Sequence, residues 1–301
     1  MASDMAVQTL DFCQVNPQSQ SPLYMTFPVE MRLAIYALVL APFPDLKEPY
    51  SFESYYYRPG YTAPKTNDLR LLGVCKRAYI EAKDLIWDPT SGNTEEAFWW
   101  GDHRRRPLDY RQRLSGALRR EERNHPLQSL RTKAFRDEHW SKINKVEIFS
   151  QMYACQSEAF KSFFDKVPSL QPKVVQLTIR YTDWWWWEEN QALKLTIAPG
   201  KNSPGFLPNS CETFLLELET IESKKDQLKQ QVKLITDNKD VWKWPRMDGR
   251  RLAFDDEVMV KDWEWMGPTR FGGGADARTF DHHPSGDEMK YCVKILTFKL
   301  C

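Results

Sequence analysis

Much of what usually classifies a protein is missing from this 301-residue chain. No apolar run approaches the ~20 residues that cross a bilayer, so no membrane partner is expected. The first residues, MASDMAVQTLDFCQVNPQSQSP, lack the basic-then-apolar order of a signal peptide. Cysteines are few: Cys13, Cys75, Cys155, Cys211, Cys292 and Cys301, with no Cys-x-x-Cys pair. That spacing excludes a disulfide framework and leaves reduced, structural thiols in an intracellular protein, cytoplasmic and/or nuclear.

Catalytic signatures are missing too. There is no G-x-S-x-G and no H-E-x-x-H. The glycines at 272–274 lack the Lys-Ser/Thr of a phosphate loop. His103, His125 and His139 are isolated among arginines, and Asp281-His282-His283 has no further ligands at fixed spacing. The adjacent acids Asp255-Asp256-Glu257 and Glu188-Glu189 read as solvated turns. No enzyme, catalytic residue, cofactor or metal is therefore expected.

What the chain does have is aromatic surface, 12 Trp, 12 Tyr and 16 Phe, useful for a core or for recognition. It also has uneven charge. The net value is only +1, yet residues 104–136 carry ten arginines and Lys133 against Asp109, Glu121 and Glu122. Arg104, Arg105, Arg106, Arg119 and Arg120 are the candidate anion-binding residues, and a helix is expected over 108–123. A solvated face is the commoner reading of such a run. With no RNA-binding signature or zinc finger beside it, a nucleic-acid partner rests on charge alone.

The stretch FPVEMRLAIYALVL, residues 27–40, predicts a helix with Pro28 in its first turn and Thr26 as N-cap. Leu33, Tyr36, Ala37 and Leu40 form one apolar stripe, and Met31, Ile35 and Leu38 another. A short helix apolar over most of its circumference needs cover on both sides, one from its own domain and one from a partner. A loop with five prolines and five tyrosines follows, and helical periodicity resumes at 67–87. Asp68 or Asn67 can cap that segment, and Leu71, Leu72, Cys75, Tyr79, Ala82 and Ile86 mark its stripe.

Phe27-Pro28-Val29-Glu30-Met31-Arg32, then Ile35-Tyr36 and Leu38, followed by Leu72, Val74-Cys75-Lys76-Arg77, Tyr79 and Leu85-Ile86-Trp87, resemble an F-box. Glu30-Met31-Arg32 with Ile35-Tyr36 is similar to F-box-like proteins of filamentous fungi, which read P-x-E-[IV]-R-x-x-I-Y where this chain has Met31. The resemblance implies a helical module that binds a Skp-type adaptor of a cullin ubiquitin ligase. It assigns that contact to Phe27, Pro28, Met31, Ile35, Leu38, Val74 and Tyr79. The loop at 41–68 departs from the family by being far longer than in ordinary F-boxes.

Beyond residue 141 the pattern reads as strand, helix, strand: INKVEIF, SEAFKSFFDKV and VVQLTIRYTDWWWW. That order resembles one leucine-rich-repeat-like unit, too few for a solenoid. A helix is expected over 209–238, with Asn209 and Glu212 as a capping box. VWKWPRMDGRRLAF, EVMVKDWEW and KYCVKILTFKL read as strands, the first with a turn at Met247-Asp248-Gly249. If the Trp242/Trp244 and Trp263/Trp265 strands pair, four indoles line one surface, and Trp184 and Trp186 extend it. These six are the candidate face for a ligand or substrate. Core packing is the commoner use of such residues.

The expected protein is α+β: a flexible N-terminus at 1–22, an F-box-like helical module at 23–90 with its long insert at 41–68, an Arg-rich connection at 91–140, and a Trp-rich domain of mixed sheet and helix at 141–301. Its expected role is a protein-interaction adaptor, the substrate receptor of a Skp/cullin ligase. Its partners are then a Skp-type adaptor and a target protein. The rival reading is a binder of an anionic ligand or nucleic acid through the Arg-rich segment, and the third is an enzyme with an aromatic pocket.

Overall fold

The computed structural model describes residues 15–88, 94–100, 140–156, 163–197, 199, 205–258, 260–272 and 277–300. The Arg-rich segment, with Arg104, Arg105, Arg106, Arg119, Arg120 and the helix expected over 108–123, lies outside them. The fold is mixed α+β and divides into two compact units, Met1–Phe43 with Lys65–Thr94, and Pro44–Pro64 with Glu95–Cys301. No helix among the described residues is long and apolar enough to cross a membrane.

The first unit is helical. α1 (Pro22–Thr26) and α2 (Val29–Leu40) are joined through Phe27 and Pro28, and α3 (Lys76–Ala82) lies between 3-10 turns at Arg70–Gly73 and Lys83–Trp87. Tyr36, Leu40 and Ala82 are buried together, with Leu23, Leu33, Leu71, Leu72, Leu85 and Ile86 packed around them. Polar groups are built into this small core. Arg32 donates to both oxygens of Glu81, at 2.9 and 2.7 Å, and to the Phe27 carbonyl at 2.7 Å. Tyr36 donates to the Tyr24 hydroxyl at 3.1 Å. Thr26 is not the N-cap of α2. It ends α1, and Pro28 takes the cap position with extended backbone. The helix expected over 67–87 is broken because Cys75 is extended, with φ −161, and its thiol accepts the Ala78 N–H at 3.4 Å as the cap of α3. Asp68 does cap locally, accepting the Arg70 N–H at 3.0 Å.

Hydrogen bonds from Arg32 hold the Glu81 carboxyl below the ordinary glutamate value of 4.5, and those from Arg77 add to this. The folded state therefore binds the Glu81 proton less readily than the unfolded chain does. The stabilisation is complete above about pH 4.5 and is lost as pH falls toward the depressed folded value. Glu81→Gln is expected to lower stability at neutral pH and to flatten the acid limb, read as Tm against pH by circular dichroism.

The second unit is built on β1 (Glu95–Trp100), β2 (Lys145–Ser150), β3 (Val174–Ile179), β4 (Thr213–Ile221), β5 (Trp244–Pro245), β6 (Arg251–Phe254), β7 (Lys261–Pro268) and β8 (Glu288–Leu300). They form one eight-stranded sheet in the order β1-β2-β3-β4-β8-β6-β5, with β7 also paired to β8. β1 to β4 are mutually parallel, and β8 runs antiparallel to β4, β6 and β7. On one face Val146, Ile148, Val175, Leu177, Phe214, Leu216, Leu218, Leu296 and Phe298 enter the main core. α4 (Lys225–Asp237) adds Leu228, Val232 and Ile235 to that core.

Three expectations fail here, each for a physical reason. The first half of the helix expected over 209–238 is β4, a central strand. Leu and Glu favour helix in isolation, but Phe214, Leu216 and Leu218 alternate with Leu215, Glu217 and Glu219 at the period of a strand. The glutamates find their partners only in the folded sheet. The strand expected through VVQLTIRYTDWWWW stops at Ile179, and Trp187–Glu189 is a 3-10 turn preceded by Trp186 in the left-handed region at φ 54. The two indole-bearing strands do not pair: β5 pairs β6, and β7 pairs β8. The six tryptophans therefore make no single wall. The module boundary also moves, because Pro44–Pro64 belongs with the sheet and not with the helices that flank it in sequence.

Candidate functional site

Two places draw functional side chains together, one in each unit. On α2, Arg32, Tyr36 and Leu40 are buried, and these positions, four apart, lie on one side of the helix. Met31, Ala34 and Leu38 lie on another side and are exposed, Leu38 by 79% and Met31 by 50%, with Ile35 half-buried beside them. Val74 is 71% exposed and Pro28 exposed, while Phe27 and Tyr79 are half-buried. Met25 and Val29 are further exposed apolar residues of this unit. Both stripes that the sequence marks on α2 are apolar, and the unit's own core covers one of them.

The second place is the other face of the sheet. Arg58 and Tyr61 flank a tight turn closed by the Tyr61 N–H on the Arg58 carbonyl at 2.8 Å. Pro59 and Gly60, at φ +83, fill the middle positions of a type II turn, which requires positive φ at the second of them. This turn lays Arg58 over β4. Arg58 Nη2 lies 2.5 Å from Glu217 Oε1 and 3.5 Å from Glu219 Oε2. Tyr61 donates to Glu147 at 2.7 Å. Gln176 bridges Glu147 and Glu217, at 3.1 and 3.2 Å, and Thr178 donates to Glu147 at 3.0 Å. Next along, Arg180 grips Asp183 with two donors and reaches the Tyr55 carbonyl at 2.5 Å.

All these side chains except Tyr61 and Tyr55 are buried. Desolvation works against the charge on Arg58, yet Glu219, Glu217 and Glu147 outweigh it and hold its pKa above the ordinary arginine value. Burial pushes the Glu217 carboxyl above the usual range, with Arg58 opposing, and pushes the Tyr61 phenol up as well. A small cleft, with room for little more than a water molecule, lies beside the row. Tyr55, Tyr57, Arg58, Tyr181, Glu219, Trp265, Phe271 and Tyr291 are among its walls. Arg58 Nη1 is buried without a hydrogen-bond partner among the described residues. Trp265 stacks on Tyr291 at 4.4 Å and donates to Glu219 at 3.2 Å. A side chain at Gly267 would collide with that indole and lie 2.7 Å from Tyr291.

Of the six tryptophans expected on a ligand face, Trp265 lines this pocket and Trp263 lies under Arg58, 5.6 Å from ring centroid to guanidinium. Trp184 is buried and donates to the Glu219 carbonyl at 2.8 Å. Trp242 and Trp244 are in the core, and Trp186 is 61% exposed, with the Trp185 ring 6.3 Å away. Arg58, Tyr61, Glu147, Gln176, Glu217 and Glu219 were absent from the sequence reading. Two signals carried four of them: Arg-Pro-Gly-Tyr as a turn, and Leu-Glu-Leu-Glu as strand alternation.

The described cysteines Cys75, Cys155, Cys211 and Cys292 are free thiols, and burial pushes those of Cys155 and Cys211 up to about 12, which makes them poor nucleophiles. No family model matches the chain, and no curated protein or solved structure matches it.

Proposed function

We propose that this chain is an F-box-like interaction protein whose helical unit docks a Skp-type adaptor and whose sheet unit presents a second protein, the target. One observation carries the reading: α2 buries Arg32, Tyr36 and Leu40 and leaves Met31 and Leu38, an equally apolar stripe, in solvent. A helix apolar on two sides and covered on one is built to be covered again. The exposed set also contains Pro28 and Val74, which the F-box resemblance assigns to the adaptor. Arg32 and Tyr36, the other marks of that resemblance, supply the polar ties that hold the helices together. In the sheet unit Lys145 stands opposite Val174 on parallel strands. That spacing falls within the ~20–29 residues of a leucine-rich repeat and supports reading this step as one such unit.

The test is co-expression with a fungal Skp-type adaptor followed by size-exclusion chromatography. Co-elution is expected, with little change on raising salt, because apolar contact is not screened as charge is. Leu38→Asp/Val74→Asp is expected to weaken the complex about 30-fold or more, the scale of a lost hot spot. Both sites are exposed, so the folding stability stays within the ~0.5 kcal/mol typical of surface changes. Separate elution of the two wild-type proteins, or undiminished binding by the double variant, overturns the reading.

A further inference from the structure

Beside the pocket, whose wall Tyr181 shares, three donor atoms from distant parts of the sequence converge. Tyr181 follows β3, and His282 and His283 belong to the connection between β7 and β8. The Tyr181 Oη lies 2.8 Å from His282 Nε2 and 2.8 Å from His283 Nε2. The two imidazoles stand edge to face, with centroids 4.5 Å apart. Each is half-buried, whereas Tyr181 is buried.

The hydrogen-bond geometry sets the tautomer of His283. Its Nδ1 lies 2.5 Å from the Thr269 carbonyl oxygen, an atom with lone pairs only, so Nδ1 carries the proton. The Nε2 lone pair then points at Tyr181. A histidine that donates one ring N–H to a backbone carbonyl and offers the other nitrogen unprotonated has the arrangement usual for a metal ligand. We propose that Tyr181, His282 and His283 form a binding site for a divalent first-row transition metal, Zn²⁺ or Cu²⁺.

Two neutral imidazoles and a phenolate suit these borderline ions. Metal–ligand bonds of about 2.0–2.1 Å place tetrahedral ligand atoms about 3.3 Å apart, so each histidine has to open from Tyr181 by about 0.5 Å. Both imidazoles are half-exposed, which lets water complete the coordination. The phenolic proton leaves to solvent as the metal binds. The surrounding charge is mixed. Burial holds the Tyr181 phenol in its protonated form and Lys224 acts on both histidines, each opposing the site, while Asp281 beside His282 and Glu188 near Tyr181 favour a cation. This site is independent of adaptor docking.

The experiment is titration of the tag-free full chain with Zn²⁺ against a chromophoric chelator, repeated with Cu²⁺ while recording visible absorption. One equivalent is expected to bind, with a tyrosinate-to-Cu²⁺ charge-transfer band. Tyr181→Phe keeps the ring packing and is expected to abolish the band and weaken Zn²⁺ at least ~10-fold, the lower bound for losing even a supporting partner. His283→Gln is expected to weaken Zn²⁺ by a similar factor. Should that variant fail to fold, His282→Gln carries the same expectation. No bound equivalent means that the three groups form only a hydrogen-bond network, and the proposal falls. It falls equally if Tyr181→Phe and the histidine variant bind as wild type does, since the metal is then held elsewhere, for example by thiols.

Discussion

Arg58→Met is expected to cost about 3–5 kcal/mol, the penalty for leaving buried carboxylates without their cation. Arg58 lies between Glu217 and Glu219 at 2.5 and 3.5 Å, and all three side chains are almost wholly inaccessible. Coulomb attraction in such a place is strong, but it exists because both signs are present. With methionine at position 58, Glu217 and Glu219 share one low-dielectric surface with Glu147, and Glu217, already pushed toward its protonated form by burial, has to take up a proton. For a unit of this size the loss corresponds to a fall in Tm of about 6–20 °C. The triple variant Arg58→Met/Glu217→Gln/Glu219→Gln is expected to recover much of it, because it removes the uncompensated charges together. Differential scanning calorimetry decides. A change below ~1 kcal/mol in Arg58→Met would mean that the carboxylates are not held by this arginine. Segment 44–64 is also expected to become more sensitive to protease, since Arg58 is one of its polar ties to the sheet, beside Tyr61, the Tyr55 carbonyl held by Arg180 and Glu53 held by Arg270.

Trp244→Ala is expected to cost about 3–5 kcal/mol, whereas Trp186→Ala stays within ~0.5 kcal/mol. Trp244 packs against Phe214 at 4.3 Å, with Phe206, Phe298 and Trp242 around it. Truncation there leaves a cavity the size of an indole. Its Nε1–H is buried with no hydrogen-bond partner among the described residues, so Trp244→Phe forfeits no polar contact and is expected to cost less than alanine. Trp186 stands in solvent at positive φ and supports no comparable core. Chemical denaturation of the three variants separates these outcomes. Equal stability of Trp244→Ala and wild type would return Trp244 to the role of a ligand-facing residue.

Part of this molecule was legible before folding. Local periodicity marked the two apolar stripes of α2, and Arg32 and Tyr36 stood out as members of a motif, because helix faces are written in the sequence at fixed spacing. The strands carrying Trp263, Trp265 and Phe298 were equally visible, since alternation is local. The Met247-Asp248-Gly249 turn was visible for the same reason: Gly249 sits at φ +82, which favours glycine whatever surrounds it. Other features depend on partners far away in the chain. Residues 213–221 resemble a helix by composition but pair as a central strand between β3 and β8, where Arg58, more than 150 positions earlier, supplies the charge that Glu217 and Glu219 need. No local rule says which tryptophan-bearing strand pairs with which, and the assembled sheet sent Trp242 and Trp244 to the core and Trp265 to the pocket. Nor could spacing bring Tyr181 to His282 and His283, about a hundred residues on. The sequence by itself determined the elements whose periodicity is short and the helix that is apolar on two sides. Tertiary structure alone decided where the tyrosine-rich segment 44–64 belongs, which charges are buried together and which donor atoms converge, because those energies arise only when distant segments exclude water from one another.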